Sequence, residues 1–129
     1  MMELWLRRAL IAIGAITLAT GLTQIATPRL ILSVVGADTS TTSAHFFATV
    51  GMFMALFGGM LLQALFSPRP YPIVVFWTAL QKFGASVLVV WGVSKGVFGA
   101  LALGVSSFDF LSGVAAFWYW RILRAADRG

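Results

Sequence analysis

Two opposite charges, Lys82 and Asp109, stand near the middles of two long apolar segments of this chain. A charge at mid-bilayer depth costs roughly 2.5–3.5 kcal/mol on insertion scales, so such residues usually face the protein interior and pair. Lys95 marks the turn between the segments, 13 residues after Lys82 and 14 before Asp109. Antiparallel neighbouring helices would bring both charges to nearly the same depth, and we expect an ion pair there.

This polar centre has two interpretations. It is either a buried ion pair that fixes the register of the helices, or a charged centre that contacts a ligand, a proton or a partner subunit. The second interpretation stays open because ionisable groups inside membranes are functional candidates by default. Gln81 lies about 100° round the helix from Lys82, so we expect it to face a neighbour or the edge of the same centre.

His45 and Gln24 are the candidate binding residues at the other end of the segments. His45 is the only histidine and begins the second apolar segment, while Gln24 ends the first. A histidine there serves as an interfacial hydrogen-bonding group, or it senses pH or binds a ligand. We expect both residues to line an opening that leads toward Lys82. One histidine without cysteine forms neither a bis-histidine haem site nor an ordinary zinc site, so we expect no metal and no cofactor.

Composition places the chain in a bilayer. Its 129 residues are 60% hydrophobic and 10% charged, with a mean hydropathy of +0.93. A soluble domain carries about 25% charged residues, so there is too little polar surface here for a water-soluble globule. The net charge of +5 does not indicate nucleic acid, because the basic residues stand at the ends of apolar segments.

Four apolar segments predict the fold, an all-α bundle of four transmembrane helices in a single domain, 1–129. A bilayer core of about 30 Å needs about 20 helical residues, which each segment supplies: 4–25, 44–66, 72–93 and 97–120. After the first span, Thr27 as N-cap, Pro28 at the first position and Gly36 beyond the end predict a short interfacial helix. The polar loop 38–43 is then free to cap the second span.

The distribution of Lys and Arg predicts the orientation. Both termini and the loop 67–71 share one side, with six basic residues, whereas the other side has only Arg29 and Lys95. The larger number indicates the cytoplasmic side, in a bacterial inner membrane. The first segment also has Arg7 and Arg8 before its apolar run, as signal peptides do, but the run is long for such a core.

Glycines in the first two segments predict close helix packing. Gly14 and Gly21 are seven residues apart, and so are Gly51 and Gly58. Small residues at such spacing let two helix backbones approach. Serine and threonine hydroxyls inside the segments are expected to bond their own helix backbone or to bridge helices.

The four-span layout, the His45-Phe46-Phe47 start of the second span and the charged third span resemble the DoxX-like and related small bacterial membrane proteins. That resemblance implies an accessory role in membrane oxidoreductase systems, without any residue-level assignment. A more distant similarity is to sterol-isomerase-like four-helix proteins, which hold a cationic ligand between carboxylates. Asp109 is the only carboxylate in the spans, and Lys82 would occupy it, which argues against that activity.

No P-loop, HExxH, GxSxG or paired carboxylates occur in the sequence. The favoured function is therefore an accessory or assembly component that packs against itself, as a homo-oligomer, or against a larger membrane complex. One alternative is a binding or transport protein whose pocket takes a small amphipathic or anionic molecule. This pocket would be lined by Gln24, His45, Gln81, Lys82 and Asp109. A small membrane enzyme is the other alternative.

Overall fold

The computed structural model describes residues 1–129 and contains only helices. In chain order these are α1 (Met2–Ala26), α2 (Pro28–Val34), α3 (Thr41–Phe66), α4 (Pro72–Ser94) and α5 (Ala102–Asp127). The predicted all-α class is confirmed. Three helices, α1, α3 and α4, are long and apolar enough to cross a membrane. The long helix α5 is not among them, since it carries Asp109, several serines and a charged C-terminal end.

The fourth apolar segment, 97–120, and the helix α5 (Ala102–Asp127) have different bounds. Residues 97–101 are not helical, although their apolar composition is like that of the helices that follow and precede them. Gly96, with a φ of 74°, ends α4, and Val97 then donates its N–H to the carbonyl of Gly92 at 2.8 Å. The N–H of Gly99 donates to the Val35 carbonyl at 2.7 Å and ties this connection to the end of α2. The helix that follows runs seven residues past the predicted end.

The long helices form a ring in the order α1, α3, α4, α5. The most extensive packing joins α1 to α3 and α4 to α5, and smaller contacts close the ring through α1 with α5 and α3 with α4. The backbones of α1 and α4 make no direct contact, so these helices occupy opposite corners. The helices that carry Lys82 and Asp109, α4 and α5, are therefore antiparallel neighbours, as predicted.

The glycine seam between α1 and α3 is confirmed. A Cβ atom on Gly21 would lie 2.5 Å from the Ala55 nitrogen and from the Gly51 oxygen. A Cβ atom on Gly58 would lie 2.6 Å from the Leu18 nitrogen and 2.8 Å from the Gly14 oxygen. These are backbone atoms and cannot rotate away, so only glycine permits the approach of the two helices at these points.

The apolar core occupies the half of the bundle nearest the chain termini. All four long helices contribute to it, through Leu6, Leu10, Leu61, Leu65, Val75, Ala79, Ala116, Tyr119 and Leu123. Lys82 follows Ala79 by about one helical turn, so the charged centre lies directly beyond this core. The core therefore holds α4 and α5 in the register that brings the charges together.

The short helix between the first two long helices is confirmed, with Pro28 in its first turn and Gly36 at a φ of 68° just after its end. Thr27 occupies the N-cap position of α2 as predicted, but its side chain makes no capping bond there. The Thr27 hydroxyl donates instead to the Thr23 carbonyl at the end of α1, at 3.0 Å.

The segment 38–43 caps α3 as expected, although α3 already begins at Thr41, so that residues 41–43 form its first turn. The Ser40 hydroxyl accepts the N–H of Ser43 at 3.2 Å, and both serine hydroxyls donate to Asp38 Oδ2 at 2.6 Å. The hydrogen bond from Ser40, followed by that from Ser43, lowers the pKa of the Asp38 carboxyl. Its negative charge next to the first turn of α3 also suits the helix dipole.

Candidate functional site

Lys82 and Asp109 form an ion pair at the centre of the bundle. The Lys82 Nζ lies 3.3 Å from Asp109 Oδ1, and the two side chains are 2% and 10% exposed. The predicted pairing is confirmed. Because α4 and α5 are neighbours, the pair joins two helices that also bury the apolar residues around it.

A third residue, Thr17 of α1, completes the centre. Lys82 Nζ donates to Thr17 Oγ1 at 2.7 Å, which is shorter than its contact with Asp109. Thr17 is itself buried. Lys82 thus reaches across the ring from α4 to the opposite helix. Hydroxyls inside the segments are expected to bond their own helix or to bridge helices, but nothing in the sequence distinguishes Thr17 from the other threonines as the partner of Lys82.

An aromatic ring also faces the ammonium group. Lys82 Nζ lies 5.3 Å from the centre of the Phe108 ring, within the range of a cation–π contact. With two acceptors and one ring, the three N–H donors of the lysine are largely accounted for. Opposite unit charges leave the centre with no formal net charge.

This arrangement links helices through side chains at the centre of the bundle. The ammonium and the carboxylate are bonded to each other, and Asp109 is the only carboxylate in the long apolar part of α5. No group of three or more His, Cys, Asp or Glu side chains that could hold a metal ion is present. The chemistry that the geometry provides is therefore a buried electrostatic link among three helices.

Gln24 and His45 lie apart from this centre. Gln24 is buried, and its Nε2 donates to the Phe47 carbonyl at 3.3 Å, which links α1 to α3. His45 is exposed, and its ring lies beside that of Phe46, its chain neighbour. The structure does not bring His45 to Lys82, and the expected opening between them is not formed by these side chains.

The position of His45 follows from the glycine seam. Gly51 faces α1, and six residues at 100° each place His45 about 120° away from that direction. The close approach of α3 to α1 therefore fixes the rotation of α3 and leaves His45 on its outer surface. A ligand role for His45 stays a prediction, but it would be a role at the surface.

Gln81 is the remaining predicted site residue. It is half-buried, and its Oε1 atom is buried without a hydrogen-bond donor. It is the one buried side-chain nitrogen or oxygen without a partner. Buried polar groups are nearly always hydrogen-bonded, so this atom marks a place where the isolated chain is unsatisfied.

Two further polar links join the helices. The Ser86 hydroxyl of α4 donates to the Ser106 carbonyl of α5 at 2.9 Å. Near the chain termini, the Arg7 guanidinium donates twice to the Leu65 carbonyl at the end of α3, at 2.6 and 3.1 Å. These bonds satisfy backbone carbonyls with side chains of neighbouring helices and add to the cohesion of the ring.

Comparison of the chain with protein-family models, with curated proteins and with solved structures found no match. The resemblance to DoxX-like proteins therefore stays a prediction from layout. The function must be argued from the site itself.

Proposed function

We propose that this protein is a four-span membrane protein of a bacterial inner membrane, with both termini cytoplasmic. In this proposal it acts as an accessory or assembly component, packing against a second copy or a larger membrane complex. The observation that supports this role is a contrast between two neighbouring polar residues near the middle of α4. Lys82 has partners inside the chain, whereas the Gln81 oxygen has none.

The fourth span of this proposal is α5. Its mean hydropathy is lowered by Asp109, yet that side chain faces Lys82 inside the bundle. The outward positions of the same helix are large and apolar: Leu103, Val105, Phe110, Leu111, Val114, Phe117 and Trp118. A helix with 26 residues exceeds the roughly 20 that a bilayer core requires. The lipid-facing surface of α5 therefore matches that of the other spans.

Gln81 is the residue that favours packing against a partner helix. Lipid chains offer no hydrogen-bond donor, so an unsatisfied amide oxygen in the hydrocarbon region favours a neighbouring protein that supplies one. Interhelical bonds of this kind contribute roughly 0.6–2 kcal/mol. The residue is half-buried on α4 and its Oε1 atom is buried, so the side chain would have to turn outward for a partner helix to donate to it. A second copy is a suitable partner, since a carboxamide both donates and accepts.

The alternative pocket function lacks a comparable observation. It requires a path from His45 past Gln24 to Lys82. His45 is on the surface, Gln24 is engaged with α3, and Lys82 is only 2% exposed. A ligand would have to displace existing bonds before reaching the charged centre.

The test is association in a mild detergent, measured by native mass spectrometry, for the wild type, Gln81→Leu and Gln63→Leu. Gln63 is exposed on α3 and serves as the matched control. We expect an associated wild type, a loss of affinity by roughly 3- to 30-fold in Gln81→Leu, and no change in Gln63→Leu. A wild type that stays monomeric and that cross-linking in the host membrane captures with no partner would refute the assembly role.

A further inference from the structure

Three arginines lie at the C-terminal end of α5: Arg121 and Arg124 in its last two turns, and Arg128 as the residue that follows the helix. They stand at positions i, i+3 and i+7, a spacing that puts side chains on the same side of a helix, and the backbone of Arg128 is still in the helical region. Together with Trp120 and Ala125 they line an open concavity of about 230 Å³. No carboxylate lines it. Guanidinium groups that converge without an acidic partner form a site for an anion.

A second concavity at this end of the bundle differs in charge. It also contains Arg7 and Arg69, but Glu3 and Asp127 line it as well. Arg7 is moreover engaged with the Leu65 carbonyl through two hydrogen bonds. Of these two concavities, the one lined by the arginines of α5 is therefore the one without a carboxylate in its lining.

An aromatic surface adjoins the arginines on the side toward the middle of the bundle. The Trp120 ring packs against Phe76 at 5.1 Å and against Phe117 at 5.3 Å between ring centres. Arg124 also lies over the Trp120 ring, 5.7 Å from its centre, which holds the guanidinium at the border of the two surfaces. Phe117 is 40% exposed, so this apolar surface is open to the surroundings.

A cationic concavity followed by an apolar surface matches an amphipathic anion. We propose that Arg121, Arg124 and Arg128 bind the phosphate group of an anionic phospholipid, with one acyl chain lying against Trp120 and Phe117. Guanidinium groups bind phosphate oxygens in a bidentate manner. Basic clusters beside membrane spans attract anionic headgroups. This inference rests on the membrane placement in the proposed function, but not on the assembly role.

The test compares lipid retention by native mass spectrometry, with phosphatidylglycerol and phosphatidylcholine of the same acyl composition as probes. The variant is Arg121→Gln/Arg124→Gln, and the matched control is Arg8→Gln/Arg69→Gln, which removes the same charge at the same end of the bundle. We expect the wild type to prefer phosphatidylglycerol. The variant should lose about 30-fold of this affinity, because charge-assisted hydrogen bonds from guanidinium to phosphate are lost. The control should keep most of it, because Arg8 and Arg69 do not line the concavity.

Four results would overturn the inference. Equal retention of both lipids excludes an anion site, and an equal loss in the control means general basic attraction. Competition by inorganic phosphate as strong as by the lipid assigns the concavity to a free anion instead. Extraction of the wild type from membranes by alkaline carbonate would contradict the membrane placement itself. This extraction is measured before any lipid is added. An unchanged thermal unfolding temperature shows that each variant is folded.

Discussion

The Lys82 ammonium lies 2.7 Å from the Thr17 hydroxyl, closer than the 3.3 Å that separates it from Asp109. Thr17 belongs to α1 and Lys82 to α4, two helices whose backbones do not touch. A single lysine side chain therefore spans the ring and links α1 to the α4–α5 pair. Hydrogen bonds to charged groups typically contribute about 1.5–3 kcal/mol, so this contact is large enough to influence how the two halves of the bundle join.

Thr17→Val tests this link. The substitution keeps the shape of the side chain and removes the acceptor, so one N–H of a buried ammonium loses its partner. We expect a loss of about 1–3 kcal/mol in the free energy of unfolding, measured by reversible denaturation in mixed micelles. Thr20→Val is the control, because Thr20 is exposed one turn further along α1. Equal stabilities of the two variants would mean that Thr17 does not hold Lys82.

The glycine seam offers a paired test on adjacent residues of α3. Alanine at Gly58 would place its Cβ 2.6 Å from the Leu18 nitrogen, whereas nothing lies within 4 Å of a Cβ at Gly59. We expect Gly58→Ala to destabilise the protein by about 1–3 kcal/mol through overpacking. Gly59→Ala should be neutral or stabilising by up to about 1 kcal/mol, since alanine favours helix. The same measurement of the free energy of unfolding tests both variants. A larger loss of stability in Gly59→Ala than in Gly58→Ala would contradict the seam.

The predicted orientation can be tested with single cysteines, because the chain has none of its own. A cysteine at Asp38 should react with an impermeant thiol reagent added outside intact cells. One at Arg69 should react only after the membrane is opened. The reason is the excess of basic residues on the side of the termini. Labelling of the Arg69 cysteine alone in intact cells would reverse the topology.

Spacing along the chain was enough to predict the features that depend on depth. Nearly equal distances from Lys95 predicted the Lys82–Asp109 pair. The seven-residue spacing within each pair, Gly14 with Gly21 and Gly51 with Gly58, predicted the seam. Both rest on the regular rise of a helix, which a sequence encodes directly.

Features that depend on the rotation of a helix about its axis, or on contacts between residues far apart in the chain, could not be predicted from the sequence. The Thr17 bond and the outward direction of His45 follow from how α1 and α3 rotate to bring their glycines together. The start of α5 was missed because the bond between Gly99 and Val35, far apart in sequence, holds residues 97–101 in a loop. Apolar composition alone gives no sign of either effect.

The charged pair is a structural element if Lys82 and Asp109 satisfy each other within the chain and hold the bundle together. Lys82→Met and Asp109→Leu each leave the opposite charge buried without its partner, which typically costs about 3–5 kcal/mol. The double variant leaves no charge behind, so its neighbours meet two apolar side chains of similar volume.

The decisive measurement is the free energy of unfolding of the wild type, both single variants and the double variant in the same micelles, with association recorded in parallel. We predict two strongly destabilised single variants and a double variant that recovers most of the loss and still associates. Single variants as stable as the wild type would show that the pair does not hold the bundle. A stable double variant that no longer associates would show that the charges serve the partner and are not closed within the chain.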